Sequence, residues 1–166
     1  MSILARMAGT VFGIGYLAPA SGTWGSLAAL PLGWALHVLG GFPLLLLATA
    51  AIFIVGIWAT TVMTEGSEDE DPSEIVIDEV AGQLIALLPL SYPAWSMGIP
   101  ITALWPGWIT AFVFFRLFDI WKPGPVGWAD RRGDPLGVML DDVIAGVLAA
   151  LCVVIGAAIA HGMMAA

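Results

Sequence analysis

Along this chain apolar residues run in long stretches, and the polar residues between them are gathered into a few short segments. Residues 27–39 and 44–64 read as two apolar helices parted by the turn Gly40-Gly41-Phe42-Pro43, the second of them long enough to cross a bilayer. An acidic loop follows. A helix is then predicted to start at Asp71, with Asp71 as N-cap, Pro72 at the first helical position and Glu74 as capping-box partner. It runs through Leu84, Leu87 and Leu88 and is expected to end near Pro89. Its apolar part, 80–90, is short for a crossing, which places its charged end at or just below a membrane surface. Residues 91–100 form a Pro-, Trp- and Tyr-rich turn suited to an interface. The apolar run 101–118, interrupted at Pro106-Gly107, closes on Arg116-Leu-Phe-Asp119-Ile-Trp-Lys122-Pro123. A polar loop, 124–137, precedes a last apolar helix opened by Val138-Met-Leu-Asp141-Asp142 and running to about Gly162. The first 25 residues are broken by Gly9, Gly13, Gly15, Pro19, Gly22 and Gly25, and read as an interfacial or re-entrant segment. The pattern predicts an all-α, polytopic helical membrane protein: a single domain, 1–166, of four to five membrane-embedded helices plus the N-terminal interfacial segment.

Composition agrees with the pattern. In 166 residues, 60% are hydrophobic and 11% charged, which excludes an ordinary soluble globule. The net charge of -8 speaks against nucleic acid, and the charges are few and clustered, as befits a site. The lone Cys152, in an apolar run, excludes an internal disulfide or a cysteine metal set. No cleavable signal is expected, because Arg6 leads into glycine-rich sequence. If five apolar helices cross, residue 6 and segments 65–79 and 116–142 share one face and hold every Lys, Arg, Asp and Glu. The basic residues then make that face cytoplasmic.

Three acidic points meet there: Glu74 with Asp78 and Glu79; Asp119; and Asp141 with Asp142. On a helix, Glu74 and Asp78 share a face, with Glu79 about 100° round. Carboxylates without Cys or paired His select a hard cation, Mg²⁺ or Mn²⁺. Arg116 and Lys122 flank Asp119 at three residues on either side, and a carboxylate-held cation beside Arg and Lys is suited to phosphate. The structural alternative for Arg116 and Asp119 is an i,i+3 ion pair joining helices. Glu65, Glu68, Asp69 and Glu70 are expected to be a solvated loop. Ser21-Gly-Thr23-Trp-Gly-Ser26 leads into a helix and offers hydroxyls and free N–H groups to an anion, unless Thr23 or Ser26 is simply its N-cap. His37 and His161 are expected to be surface or satisfied histidines. Cys-x5-Arg, Asp-x-Asp-x-Thr and phosphohistidine arrangements are absent from the sequence, which leaves cation-aided water attack with a carboxylate as general base. The rival reading is a small cation transporter or channel subunit with the acidic cluster as its ion site; against it, the carboxylates gather at a helix end and not at a midplane break.

Gly22-Thr-Trp-Gly-Ser26 with Pro31, Ile77-Asp-Glu-Val-Ala-Gly-Gln83, Phe115-Arg-Leu-Phe-Asp-Ile-Trp-Lys-Pro123, Asp130 and Gly137-Val-Met-Leu-Asp-Asp-Val-Ile-Ala-Gly146 together resemble the phosphatidylglycerophosphatase A family of membrane phosphatases. The resemblance implies an all-helical fold and Mg²⁺-dependent hydrolysis of phosphatidylglycerophosphate to phosphatidylglycerol in the bacterial inner membrane. It implies a site containing Asp78, Glu79, Asp119, Lys122, Asp130, Asp141 and Asp142. One departure is Ser21, where the family commonly has proline. The expected division is Asp78, Glu79, Asp119 and Asp142 in catalysis; Thr23, Ser26, Arg116, Lys122 and Asp130 at the substrate; and Glu74, Asp78, Glu79, Asp119, Asp141 and Asp142 on the metal.

Overall fold

A computed structural model describes residues 2–67 and 71–164, and within them all regular structure is helical. The elements are α1 (Ile3–Gly9), a 3₁₀ turn (Ile14–Tyr16), α2 (Ser21–Thr64), α3 (Ile77–Met97), a second 3₁₀ turn (Ile101–Leu104), α4 (Trp105–Trp121), α5 (Pro125–Asp130) and α6 (Pro135–Met164). Three helical stretches are long and apolar enough to cross a membrane: Ser21–Thr64, Ile101–Trp121 and Pro135–Met163.

The 44 residues of α2 would reach about 66 Å if straight, more than twice a bilayer core. The helix breaks at Gly40 and Gly41, where Gly41 has φ 66° and the Trp95 ring fills the space a Cβ would take. Only glycine suits that backbone and that contact. The predicted turn is therefore present, as a break between two arms. The first arm carries Gly25 against Val76 and Gly33 against Leu84 and Leu87, while the second brings Gly56 back to Ile77 and Met139. α3 is thus held between both arms and α6, and its first half is almost wholly buried. Leu45, Leu84, Leu87, Ala111, Phe115, Ala145 and Ala149 form the main core. Outward-facing apolar residues such as Leu39, Leu47, Ile54, Ile120 and Ile155 are 58–78% exposed, the surface a lipid solvent would cover.

Several predicted boundaries are corrected. α3 begins at Ile77, six residues after Asp71. The 71–76 segment is instead tied by Ile75 N–H to the Pro72 carbonyl and by Val76 N–H to the Gly9 carbonyl, each at 2.9 Å, so a tertiary bond to α1 overrides the capping signal. Glu74 and Asp78 consequently do not share a helix face. The helix also passes through Pro89 and Pro93 to Met97. Burial against α2 and α6 offsets the missing amide donors. Pro106 does not interrupt its helix; it occupies the first turn of α4, where a missing N–H is harmless. The 124–137 loop contains the short helix α5, and α6 starts at Pro135, with Asp134 Oδ1 accepting from Gly137 N–H at 2.6 Å. Glu65 is exposed as expected; Glu68, Asp69 and Glu70 lie outside the described residues.

Candidate active site

The first turn of α3 presents Asp78 and Glu79, at the helix end whose dipole favours anions. Their counterpart is Asp142 on α6. The two helices meet closely at glycines one turn further on: a Cβ on Gly82 would strike the Asp142 carbonyl and the Phe115 ring, and one on Gly146 would strike the Gly82 carbonyl. This backbone approach brings carboxylate oxygens of Asp78, Glu79 and Asp142 within 4.8 Å of one another. Asp78 and Asp142 are 7% and 2% exposed, and neither takes part in the salt bridges found among the described residues. Glu79 Oε2 is buried without a hydrogen-bond partner. Buried like charges with an orphaned acceptor call for a cation, and an all-oxygen donor set suits a hard one. The residues present therefore fit Mg²⁺.

Two basic side chains border this group. Arg116, on the last turns of α4, pairs with Asp119, lies 3.9 Å from Glu79 Oε1 through Nη1, and donates to Ser26 Oγ at 3.4 Å. Its Nε is buried and unpartnered. Lys122 caps α4 in a left-handed conformation, φ 50°, forced out of helix by Pro123. Its Nζ pairs with Asp130 on α5 and with Asp141 Oδ2 at 2.9 Å. Burial pulls the Lys122 pKa down, but the hydrogen bonds to Asp130 and Asp141 outweigh it and hold the ammonium above the ordinary lysine range. It stays charged.

A cavity of about 210 Å³ opens over these groups, lined by Asp78, Glu79, Asp119, Lys122, Asp141 and Asp142, together with Ser21, Asp71, Ser73 and Ile75. The structure thus unites five of the expected carboxylates with Lys122. Arg116 stands behind Glu79 and Asp119, and Asp130 behind Lys122. Ser26 is fully buried, its hydroxyl donating to the Gly22 carbonyl at 2.8 Å, so it braces Arg116 and does not face the cavity. Thr23 is half-buried in the first turn of α2. Glu74 is set apart, on a neighbouring chamber. The sequence reading missed Asp71 and Ser73 as cavity wall, and Gln83, which is fully buried with both amide atoms unpartnered. A polar residue inside the apolar run 80–88 was the available signal for Gln83.

Apolar helices with their charged groups gathered at one end are those of a membrane protein whose polar site opens where the helices terminate. A family model for Phosphatidylglycerophosphatase A matches residues 7–157. Phosphatidylglycerophosphatase A of Haemophilus influenzae is 37% identical over 144 residues, 86% of this chain and 82% of its own length. The protein of that name from Escherichia coli is 34% identical over 141 residues, 84% of this chain and 75% of its own. A Bacteroides thetaiotaomicron protein named "Putative phosphatidylinositol-3-phosphatase" is 40% identical over 151 residues, 88% of this chain and 89% of its own. No solved structure matches. The chain belongs to the phosphatidylglycerophosphatase A family, and it is a phosphatase. Membership in an enzyme family sets aside the transporter reading.

Proposed function

We propose that this phosphatase hydrolyses the terminal phosphate monoester of phosphatidylglycerophosphate, with Mg²⁺ as its only cofactor, at the cytoplasmic surface of the bacterial inner membrane. The observation that carries the proposal is the group Asp78, Glu79 and Asp142, with carboxylate oxygens within 4.8 Å, beside a charged Lys122. Those three residues would hold the cation, with Asp119 and Asp141 alongside. When bound, the ion supplies charge neutralisation and polarisation of the phosphate. The Lys122 ammonium faces the cavity and attracts the phosphate oxygens, while Arg116 holds Asp119 in place and adds positive potential behind it. Asp119 accepts a proton from the attacking water as the new P–O bond forms. The ester P–O bond breaks, the departing oxygen takes the proton that Asp119 received and becomes the free hydroxyl of phosphatidylglycerol, and inorganic phosphate leaves.

In the membrane, the two arms of α2 with α3, α4 and α6 supply five crossings. Both ends of α2, the start of α3, the end of α4 and the start of α6 then lie at one surface. Among the described residues that surface holds all the formal charge, and the basic residues favour the cytoplasm. A lipid can remain in the bilayer while its headgroup enters the cavity. The name of the Bacteroides relative favours a second reading, a phosphorylated inositol lipid as substrate. Phosphate release in detergent micelles, measured for phosphatidylglycerophosphate, phosphatidylinositol 3-phosphate and phosphatidic acid with Mg²⁺ and after chelation, tests both. Turnover of none of them would overturn the proposal.

A further inference from the structure

A second chamber of about 470 Å³ adjoins the carboxylate cavity, and the two share Ser21 and Ser73 as a common wall. Its other walls are the 3₁₀ turn with the segment after it, including Tyr16, Leu17 and Ala20, and Glu74. The volume is that of a small-molecule site. We propose that this chamber is the polyol subsite of the enzyme: it holds the glycerol that joins the lipid's phosphodiester to the scissile phosphate, and Glu74 selects for the free hydroxyl on that glycerol. The inference rests on the lipid-phosphatase reading above.

The chemistry of the walls matches a polyol. Ser21 Oγ donates to the Ser73 carbonyl at 2.6 Å, which leaves the oxygen of Ser21 as an acceptor at the boundary between the chambers. The half-buried Glu74 carboxylate offers acceptors to hydroxyl donors and stands outside the three-carboxylate group that fits the cation. Tyr16 and Leu17, 57% and 47% exposed, border the chamber with the amphipathic and apolar surface expected at headgroup depth. A phosphate beside Lys122 therefore has its ester oxygen directed past Ser21 and Ser73 into a polar space that ends toward lipid. The walls are preformed. Thr10, almost wholly buried, donates from Oγ1 to the Arg6 carbonyl at 2.8 Å and accepts from Gly13 N–H at 3.0 Å, fixing the turn. Gly15 then lies so close to the Glu74 carbonyl that a Cβ would collide with it, which locks the turn against the acidic segment.

The test compares phosphatidylglycerophosphate with phosphatidic acid, which carries its phosphate directly on the diacylglycerol and has no polyol to place. In mixed micelles with saturating Mg²⁺, Glu74→Gln is expected to lower the ratio of kcat/KM for the first lipid over the second about tenfold, chiefly through KM. Leu17→Trp narrows the chamber from a residue that does not border the carboxylate cavity, and is expected to lower the same ratio with Tm retained. An unchanged ratio in both variants of an active enzyme overturns the subsite. A raised Mg²⁺ requirement in Glu74→Gln, with both lipids impaired alike, overturns it as well, because Glu74 would then serve the cation. Wild-type protein that releases phosphate from neither lipid overturns the lipid-phosphatase reading, and the subsite falls with it.

Discussion

Lys122 Nζ lies 2.9 Å from Asp141 Oδ2 and pairs at the same time with Asp130, so one ammonium joins the end of α4 to α5 and to α6. From the sequence, Lys122 is expected to serve phosphate alone, with little bearing on stability. The structure adds a bracing task, because Asp141 is 6% exposed and loses its cation if Lys122 is removed.

Lys122→Ala should therefore cut kcat/KM by about 10²-fold or more and also destabilise the protein by about 1–3 kcal/mol, the usual cost of orphaning a buried polar partner. Lys122→Arg restores positive charge and should recover most of the Tm while turnover stays impaired, because a planar fork does not reproduce a point charge. Thermal melts and phosphate release on the same preparations check this. A Lys122→Ala enzyme with full turnover would remove the lysine from the chemistry.

Arg116 pairs with Asp119 within α4 and reaches Glu79 on α3. Arg116→Ala should lower Tm, and the double variant Arg116→Ala/Asp119→Ala should recover part of the loss, since an unpaired buried charge costs more than a missing pair. Turnover should be low in both. Recovery of activity in the double variant would show that neither side chain takes part in the reaction.

Chelation should abolish phosphate release, and Mg²⁺ should restore it. Binding to the folded state alone stabilises by mass action, so Tm should rise with Mg²⁺ concentration. Full turnover after rigorous EDTA treatment would exclude a metal.

Asp78→Asn and Asp142→Asn should each lower turnover by about 10²-fold or more and abolish the Mg²⁺-dependent rise in Tm, while the apo protein keeps or gains stability as like-charge repulsion is relieved. Glu65→Gln, at an exposed position, should change neither quantity. Comparable damage from Glu65→Gln would mean that the division between site and loop acids is misplaced.

The convergence of Asp78, Glu79, Asp119, Asp141 and Asp142 was legible from topology alone: with apolar helices as rigid crossings, the segments holding these residues had to return to one face. Local signals served less well. Asp71-Pro72 and Asp134-Pro135 present the same Asp-Pro start, yet only the second opens a helix, because the first segment is claimed by Gly9 and Gly15 of the N-terminal region. That misplaced start put Glu74 on the face of Asp78 and so among the metal candidates. Pro89 signals an end because local rules weigh the lost amide and not the burial of α3, which carries the helix on through Pro93 to Met97. Ser26 turns its hydroxyl to the Gly22 carbonyl and not to the cavity, a direction within the helix that a sequence does not carry.

The meeting of α3 and α6 at Gly82 and Gly146 has a bearing on which ions the site can accept. Since main chain touches main chain there, the gap between Asp78 and Asp142 is set by two helix axes and has little freedom to widen through side-chain rearrangement. For an ion held between them, these glycines act as a gauge of ionic radius while contributing no ligand. Mg²⁺ demands short, regular bonds of about 2.1 Å, whereas Ca²⁺ accepts about 2.3–2.6 Å and looser geometry. A methyl group wedged into that crossing would push the helices apart and favour a larger cation, so a preference for a small ion at this site would depend on the atoms that glycine lacks.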